Sequence, residues 1–413
     1  MGEKMASTDI KWFRFDNINA PVLSNTWGCI IDVLDACLVT GFGSQTISSL
    51  VIENGVATAT FSTAHNINQF QVVSISGATE SALNKEYRVL GVTINTIEFA
   101  VDLPDQTASG TISCKLAPLG WTKAFSGTQK AVYQAKDTDS NPYFLRVDNA
   151  CDLVYNESYA KFAKTGILET CDGIDDLTGV QAPYNTANPD KNWVGTGSGN
   201  SAISGWSKWY NAVINMAATT AGAYESHGAS EGNREWYLIG NEDTFYFLPN
   251  LSFGAGQMHI LLYGFGVVNN PFTGNNLPFL STCIKDTAAG SALNLSTALG
   301  NLAQLVMLKD DSNNHANTLF GTVKLPFSAT YSGNANYFAK TNSIPTLLGK
   351  YYMIDNLNQF VNEFPVLVST LYTTPELNDL EIFNHEGRAL LKLTYRPARG
   401  VVGAVMFDLG EYY

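Results

Sequence analysis

The sequence has few charged residues and no long apolar run. Charged side chains make up 15% of the 413 residues, well below the roughly 25% of ordinary soluble domains. No apolar stretch approaches the ~20 residues that a membrane-spanning helix needs. The N-terminal residues, MGEKMASTDIKWFRFDN, contain no apolar segment of the signal-peptide type. We therefore expect a protein that is made in a host cytoplasm and makes no contact with a membrane.

Basic residues are also scarce. Lys and Arg number 24 against 37 Asp and Glu, which gives a formal net charge of −13 at pH 7. Binding to a phosphate backbone depends on clustered Lys and Arg, because these side chains release counterions from the nucleic acid. The charge balance therefore argues against direct nucleic-acid binding.

The spacings that carry metal or nucleophile chemistry are missing. Six cysteines are spread along the chain without a CxxC pair, and we expect them to be free thiols, mostly buried. No G-x-S-x-G nucleophile elbow is present. The histidines never come at HxxxH or HxH spacing: His65, His227, His259, His315 and His385. We predict no catalytic residue, no metal ligand and no cofactor site, and hence no enzyme.

Two acidic stretches are the remaining candidates for chemistry. DTDSNP at 137–142 begins like a calcium loop, but Pro142 stands where that loop needs glycine, and Asp148 stands in place of its final glutamate. CDGIDD at 171–176 could pair an acid with a base or hold a metal ion. We interpret the first stretch as a polar turn and the second as a solvated loop.

The periodicity of apolar residues changes near residue 45. Residues 22–38 have the three-and-four spacing of an amphipathic helix, with Ser24 as N-cap and Gly41 and Gly43 at its end. From 46 to about 115 the period is two, in six short strand-like segments. Asn54-Gly55 separates the first two of these, and this pair accepts positive φ at both central positions of a hairpin turn.

Later segments are again mostly strand-like. QKAVYQ and YFLRVD predict a hairpin around 137–142, and residues 178–204 read as a long surface loop. Residues 296–308 have helical spacing, and the last third returns to β patterning. We predict a mainly β (α+β) protein with a few helices, in which a sandwich-like or barrel-like framework carries an inserted small β-domain. The predicted domains are 1–44 plus 118–200, the insert at 45–117, and a β-rich region at 201–413.

A dense group of aromatic residues lies amid Gly, Asn and Ser. It comprises Trp193, Trp206, Trp209, Tyr210, Tyr224, Trp236 and Tyr237. Flat rings could form a surface for a glycan or a partner protein, because they bury much area at low entropic cost. The favoured interpretation is that they fill a small β-core and brace long loops.

The inserted segment resembles the small β-module that is common in virion proteins of tailed bacteriophages. The residues that carry the resemblance are a His before a hydrophobic turn, the V-x-I-S-G-A strand, N-x-x-Y-x-V, and a closing Thr before Phe. They are His65, Val73 to Ala78, Asn84, Tyr87, Val89, Thr96 and Phe99. The customary Gly-Asp before the V-x-I strand is replaced by Gln69-Phe70-Gln71.

The flanking framework resembles a family of phage and prophage structural proteins. Ala20 to Gly43 matches APVLS-x-T-x-G-x-x-I-x-x-L-D-A-C-L-V-x-G-F-G, and Gly120 to Tyr133 matches G-W-T-K-x-F-S-G-T-x-K-A-V-Y. The resemblance implies a virion subunit of the tail, baseplate or neck that forms homo-oligomers and binds other virion proteins. The alternatives are a capsid decoration protein and a host-surface or glycan-binding module. A cell-wall or capsule hydrolase is the least favoured alternative.

Overall fold

The structure is a computed structural model that describes most of the chain. It covers residues 7–199, 202–214, 225–253, 259–284, 294–295, 304–310, 312, 315–324, 348–355, 357, 359–370, 379–398 and 401–412. Tyr224 and most of the helix predicted at 296–308 lie outside these ranges.

Strands are the main elements of the described chain. In chain order they are β1 (Lys11–Arg14), β2 (Phe42–Glu53), β3 (Val56–Phe61), β4 (Val72–Ala78), β5 (Glu86–Arg88), β6 (Gly91–Val92), β7 (Thr96–Ala100), β8 (Gln106–Thr107), β9 (Gly110–Leu116), β10 (Thr122–Gly127), β11 (Lys130–Gln134), β12 (Phe144–Asp148), β13 (Lys161–Leu168), β14 (Gln181–Ala182), β15 (Ser207–Ala212), β16 (Trp236–Gly240), β17 (Phe245–Pro249), β18 (Tyr263–Asn269), β19 (Asn276–Ser281), β20 (Cys283–Ile284), β21 (Asn294–Leu295), β22 (Gln304–Lys309), β23 (His315–Lys324), β24 (Leu348–Ile354), β25 (Phe360–Thr370), β26 (Ile382–His385), β27 (Arg388–Ala398) and β28 (Val401–Glu411). The helical elements are α1 (Cys29–Leu34), a π-helical turn (Asp35–Thr40) and two 3₁₀ turns (Ser81–Leu83 and Pro189–Asn192).

These strands form three antiparallel sheets, and the prediction of a mainly β protein with few helices is confirmed. The twelve-stranded sheet has the order β1-β16-β17-β18-β19-β22-β23-β24-β25-β28-β27-β26. The framework sheet has the order β10-β11-β12-β13-β15-β20-β21, with β14 paired to β13. The third sheet has the order β5-β4-β9-β2-β3-β7-β6, with β8 paired to β2.

The third sheet corresponds to the predicted insert. β5 and β6 lie at its opposite ends yet belong to one short segment, 86–92, so the sheet bends round on itself as in a small barrel. Phe42 at its start pairs with Leu116 at its end, so the chain leaves the framework and returns at the same place. Closely spaced ends are what a domain inserted into a loop requires. We call residues 42–116 the inserted module.

Strands β16 to β19 and β22 are buried on both faces. On one face, Trp236, Phe245 and Tyr263 join a core with Trp121 and Trp209 of the framework. On the opposite face, alternate residues of the same strands pack against the far strands β24 to β28. Rings contact across this second layer, for example Tyr246 of β17 and Phe407 of β28, whose centroids are 5.7 Å apart. The twelve-stranded sheet therefore folds over onto itself.

The predicted helix 22–38 is correct only in its second half. Helix α1 begins at Cys29, its N-cap is Gly28 with φ 90°, and Ser24 makes no cap hydrogen bond. The residues before the helix bond distant parts of the chain instead. Leu23 forms a β-bridge with Arg234, and the Ser24 carbonyl accepts a hydrogen bond from the side-chain amide of Asn211. The helix ends at Gly41, with φ 68°, as predicted.

One further expectation, the helix at 296–308, is wrong in the described residues. The part of 296–308 that the structure describes belongs to strand β22, in which Leu305 and Met307 face one core while Val306 and Leu308 face the other. The boundary predicted at 200/201 does not separate the sheets, because β15 and β20 pair within the framework sheet and β1 pairs with β16.

The Asn54-Gly55 hairpin provides a stability test. Both residues have positive φ, 51° and 78°, and an L-residue with a side chain in that region costs about 1–2 kcal/mol. We expect Gly55→Val to lower the free energy of unfolding by at least about that amount, because a β-branched residue is the least suited to positive φ. Asn54→Gly, the control at the other turn position, should change it by less than about 0.5 kcal/mol. Equal urea midpoints for both variants would refute the turn assignment.

Candidate functional site

The two separated halves of the framework motif meet at Asp35. Its carboxylate accepts a hydrogen bond from the Tyr133 hydroxyl at 2.8 Å and pairs with the Lys123 ammonium at 2.7 Å. The carbonyl of Leu38 accepts from the main-chain N–H groups of Gly120 and Trp121, so the resuming chain is tied to the end of the helix. Burial first, and then the charge of Asp35, raises the pKa of Tyr133 well above its usual value, which keeps its hydroxyl as a donor.

Residues of the module motif hold the inserted module together. The amide of Asn84 bonds both the N–H and the carbonyl of Ala78, at 2.9 and 2.8 Å. The rings of Tyr87 and Phe99 lie 4.4 Å apart. The His65 ring accepts from the Ile67 N–H and lies 3.1 Å from the Thr96 carbonyl. These motif residues therefore have internal structural contacts.

Two of the three residues that depart from the module pattern lie against the rest of the chain. Phe70, with φ 63°, is fully buried, and its ring lies 5.3 Å from that of Tyr412. Gln71 is also buried, and its amide donates to the Trp12 carbonyl of β1 at 3.0 Å and exchanges two bonds with the side chain of Asn17. Gln69 stays within the module and donates to the Leu90 carbonyl.

Arg88 of the module reaches both ends of the chain. Its guanidinium donates to the Ile10 carbonyl beside β1 at 3.3 Å. At Gly410 in β28, where φ is 107°, an added Cβ would lie 2.9 Å from Nη1 of Arg88, so a side chain there would meet the guanidinium. We call these contacts of Phe70, Gln71 and Arg88 the module seam. They join the first and the last strand of the chain to the inserted module.

The six described aromatic residues of the proposed binding surface are buried. None is more than 4% exposed: Trp193, Trp206, Trp209, Tyr210, Trp236 and Tyr237. Some of their polar atoms bond inside the chain: Trp209 Nε1 donates to the Ser281 carbonyl and Trp236 Nε1 donates to the Pro21 carbonyl. This burial agrees with the favoured interpretation, in which the rings fill the core and brace loops.

The loop predicted at 178–204 is anchored to the framework sheet. Many of its residues are exposed, but Asn192 and Trp193 are buried. The amide of Asn192 donates to the Thr165 carbonyl of β13 and accepts from the N–H of Ser207 of β15. The Trp193 ring lies 4.3 Å from the guanidinium carbon of Arg146. The loop thus packs against the framework sheet through Asn192 and Trp193.

A group of charged side chains lies under this loop. Lys164 Nζ is 2.7 Å from Oδ1 of Asp152 and 3.3 Å from Oδ2 of Asp148, its register partner across β12 and β13. The Ser204 hydroxyl donates to Oδ2 of Asp152. Arg146 lies 3.7 Å from Asp148. We call Arg146, Asp148, Asp152, Lys164 and Ser204 the covered charge cluster.

Sequence spacing did not reveal this cluster, because hairpin register and loop packing bring its members together. The available signal was the presence of charged residues inside the strands YFLRVD and KFAKTGIL, whose other members are mostly apolar. A charge in a buried strand is costly unless it is paired. A charged residue in an otherwise apolar strand therefore predicts a nearby side chain of opposite charge.

The acidic candidates are bound locally. In 137–142, the Asp137 carboxylate accepts from the N–H groups of Asp139 and Ser140, as in a polar turn. In 171–176, Asp176 bonds Thr178 and the N–H of Asp172, while Asp175 pairs with Arg146 and Lys130. Within the described ranges, no group of three or more His, Cys, Asp and Glu side chains is arranged to hold a metal ion.

A scan of the chain against protein-family models finds no match, and a search of the curated proteins finds no similar sequence. Among the described residues, no helix has the length and apolar character needed to cross a membrane. All six cysteines are free thiols, and all but Cys151 are buried.

The module seam provides a second stability test. Removal of a buried Phe side chain costs about 3–5 kcal/mol. We expect Phe70→Ala to lower the free energy of unfolding by an amount in that range. Ile94→Ala, in the same module at a side chain that is 78% exposed, is the control and should cost less than about 0.5 kcal/mol. Similar urea midpoints for the two variants would contradict the seam.

His65 provides a test by pH. Burial lowers the pKa of its ring from the ordinary 6.5, outweighing the bonds to main-chain carbonyls, which raise it. Because the unfolded chain takes up the proton first, His65 makes the fold less stable as the pH falls below about 6.5. We expect the His65 ring, assigned in NMR spectra by comparison with His65→Gln, to titrate with a midpoint below 6.5. A midpoint above 6.5 would contradict this environment.

Proposed function

We propose that this chain is a structural subunit of a tailed-bacteriophage virion, in the tail, baseplate or neck. It acts by assembling with further copies of itself and with other virion proteins. Symmetric homo-oligomers are the default for such parts.

The observation that carries this proposal is the junction at Asp35. The motif halves at 20–43 and 120–133 resemble one framework of phage structural proteins, although the inserted module separates them in sequence. Asp35 from the first half contacts Lys123 and Tyr133 from the second. A sequence resemblance is a stronger argument for a shared framework when the matching residues contact one another in the fold than when they do not.

The surface also suits an assembling subunit. Large apolar side chains are exposed at loop and hairpin tips: Ile94, Leu153 and Phe272 are 78%, 106% and 84% exposed. Single exposed apolar residues are common, but here they accompany a surface with little charge. Neighbouring subunits would remove these side chains from water.

A capsid decoration protein remains the alternative within the same class. The glycan-binding alternative loses its support, because the rings on which it depended are buried. The hydrolase alternative depends on the carboxylates at 171–176. Asp175 is paired with Arg146 and Lys130, and Asp176 accepts a hydrogen bond from Thr178 in a turn.

The copy number of the chain in purified particles tests the proposal. Quantitative mass spectrometry on particles of the phage or prophage that encodes it should detect this chain at a low ratio to the major capsid protein. We expect a small multiple set by tail symmetry.

Two results would change the assignment. A ratio near one per capsid subunit would replace the tail, baseplate or neck by a decoration role on the head. Absence of the chain from particles that still contain the capsid and tail proteins would overturn the virion proposal itself.

A further inference from the structure

Lys164 and Asp152 of the covered charge cluster are placed as reaction partners. Lys164 Nζ lies 2.7 Å from Oδ1 of Asp152, and its side chain is only 2% exposed. Groups held in contact in this way react as if at very high concentration, because no encounter is needed. Rotation of the Asp152 carboxylate about its Cβ–Cγ bond would turn the plane of the group so that the amine faces the carbon rather than an oxygen.

We propose that Lys164 and Asp152 form an intramolecular isopeptide bond, between Nζ of the lysine and Cγ of the aspartate. The site is then a place of covalent self-modification, which crosslinks strand β13 to the segment that precedes it. The inference is independent of the proposed virion function.

The neighbouring side chains supply the proton transfers that this reaction needs. Asp148 Oδ2, 3.3 Å from Nζ, accepts a proton from the Lys164 ammonium and leaves a neutral amine. Arg146 and Lys130 lie 3.7 and 3.9 Å from the same carboxylate. The Ser204 hydroxyl, bonded to Oδ2 of Asp152, stabilises the negative charge that develops on that oxygen.

The reaction balances without any further reactant. The amine nitrogen attacks Cγ of Asp152, an N–C bond forms, and the C–O bond to one carboxylate oxygen breaks. Two of the three ammonium protons leave with that oxygen as water: the first by way of Asp148, which is then a carboxylate again, and the second from the nitrogen once the N–C bond has formed. The two opposite charges disappear together, and nothing is oxidised or reduced.

Burial favours the product. An ion pair removed from water loses hydration that its mutual attraction only partly restores, whereas an amide carries no net charge. The cover over Lys164 includes the Trp193 carbonyl, which accepts from Nζ at 2.7 Å. This cover limits the access of water to the amide and so slows hydrolysis.

Lys161 on the same strand is the matched comparison. Its Nζ donates to the main-chain oxygens of Glu157 and Tyr159 at 2.6 and 2.8 Å. Attack on a main-chain carbonyl would cleave the polypeptide chain, whereas attack on the Asp152 carboxyl group releases only water. We therefore assign the crosslink to Lys164 and not to Lys161.

Tryptic peptide mapping of the purified full chain, denatured before digestion, tests the proposal. Without a crosslink, trypsin cuts after Lys161, Lys164 and Lys191 and releases 147–161, 162–164 and 165–191 as separate peptides. With the crosslink, Lys164 resists cleavage. Peptide 147–161 then stays joined to 162–191, at a mass one water below their sum, with fragment ions that place the link at Asp152.

Variants separate the reaction from simple pairing. Lys164→Arg should abolish the joined peptide, Lys161→Arg should retain it, and Asp148→Asn should reduce its yield at least tenfold because the proton acceptor is lost. Detection of only the separate peptides from the unaltered chain would overturn the proposal. An undiminished yield in Asp148→Asn would overturn the role of Asp148.

Discussion

Burial of both faces of strands β16 to β19 is the constraint on which the other layers depend. Each of these strands presents large apolar side chains alternately to two sides, so neither side can face water. The framework sheet covers one side with Trp121 and Trp209. The far half of the same twelve-stranded sheet covers the other, where Tyr246 and Phe279 of the near half meet Phe407 and Phe364. The aromatic residues are therefore interior residues of a layered β protein.

Sequence signals predicted correctly those elements that depend only on neighbouring residues in the chain. Asn54-Gly55 sets its own hairpin, because the turn needs positive φ and these residues accept it. The period of two across 46–115 and the glycine that ends the helix at 41 were equally reliable. For the aromatic group, the favoured core interpretation agrees with the observed burial.

Long-range contacts account for what the sequence did not reveal. The helix predicted from 22 starts at 29, because Leu23 and Ser24 bond residues near 211 and 234. Residues 305–308 of strand β22 are all apolar, a pattern that periodicity alone does not distinguish from a buried helix. The covered charge cluster depends on the register of β12 with β13 and on a loop that follows them. Neither is encoded by spacing along the chain.

The module seam also limits how such a module can be exchanged between proteins. Its ends at Phe42 and Leu116 lie side by side, which alone would permit one barrel to be replaced by another. Phe70 and Arg88, however, lie in the middle of the module sequence and contact Tyr412 and Gly410 near the end of the described chain. A substitute module would have to bring its own counterparts of these two residues. Replacement of the module alone would therefore leave the final strand without the side chains that it packs against.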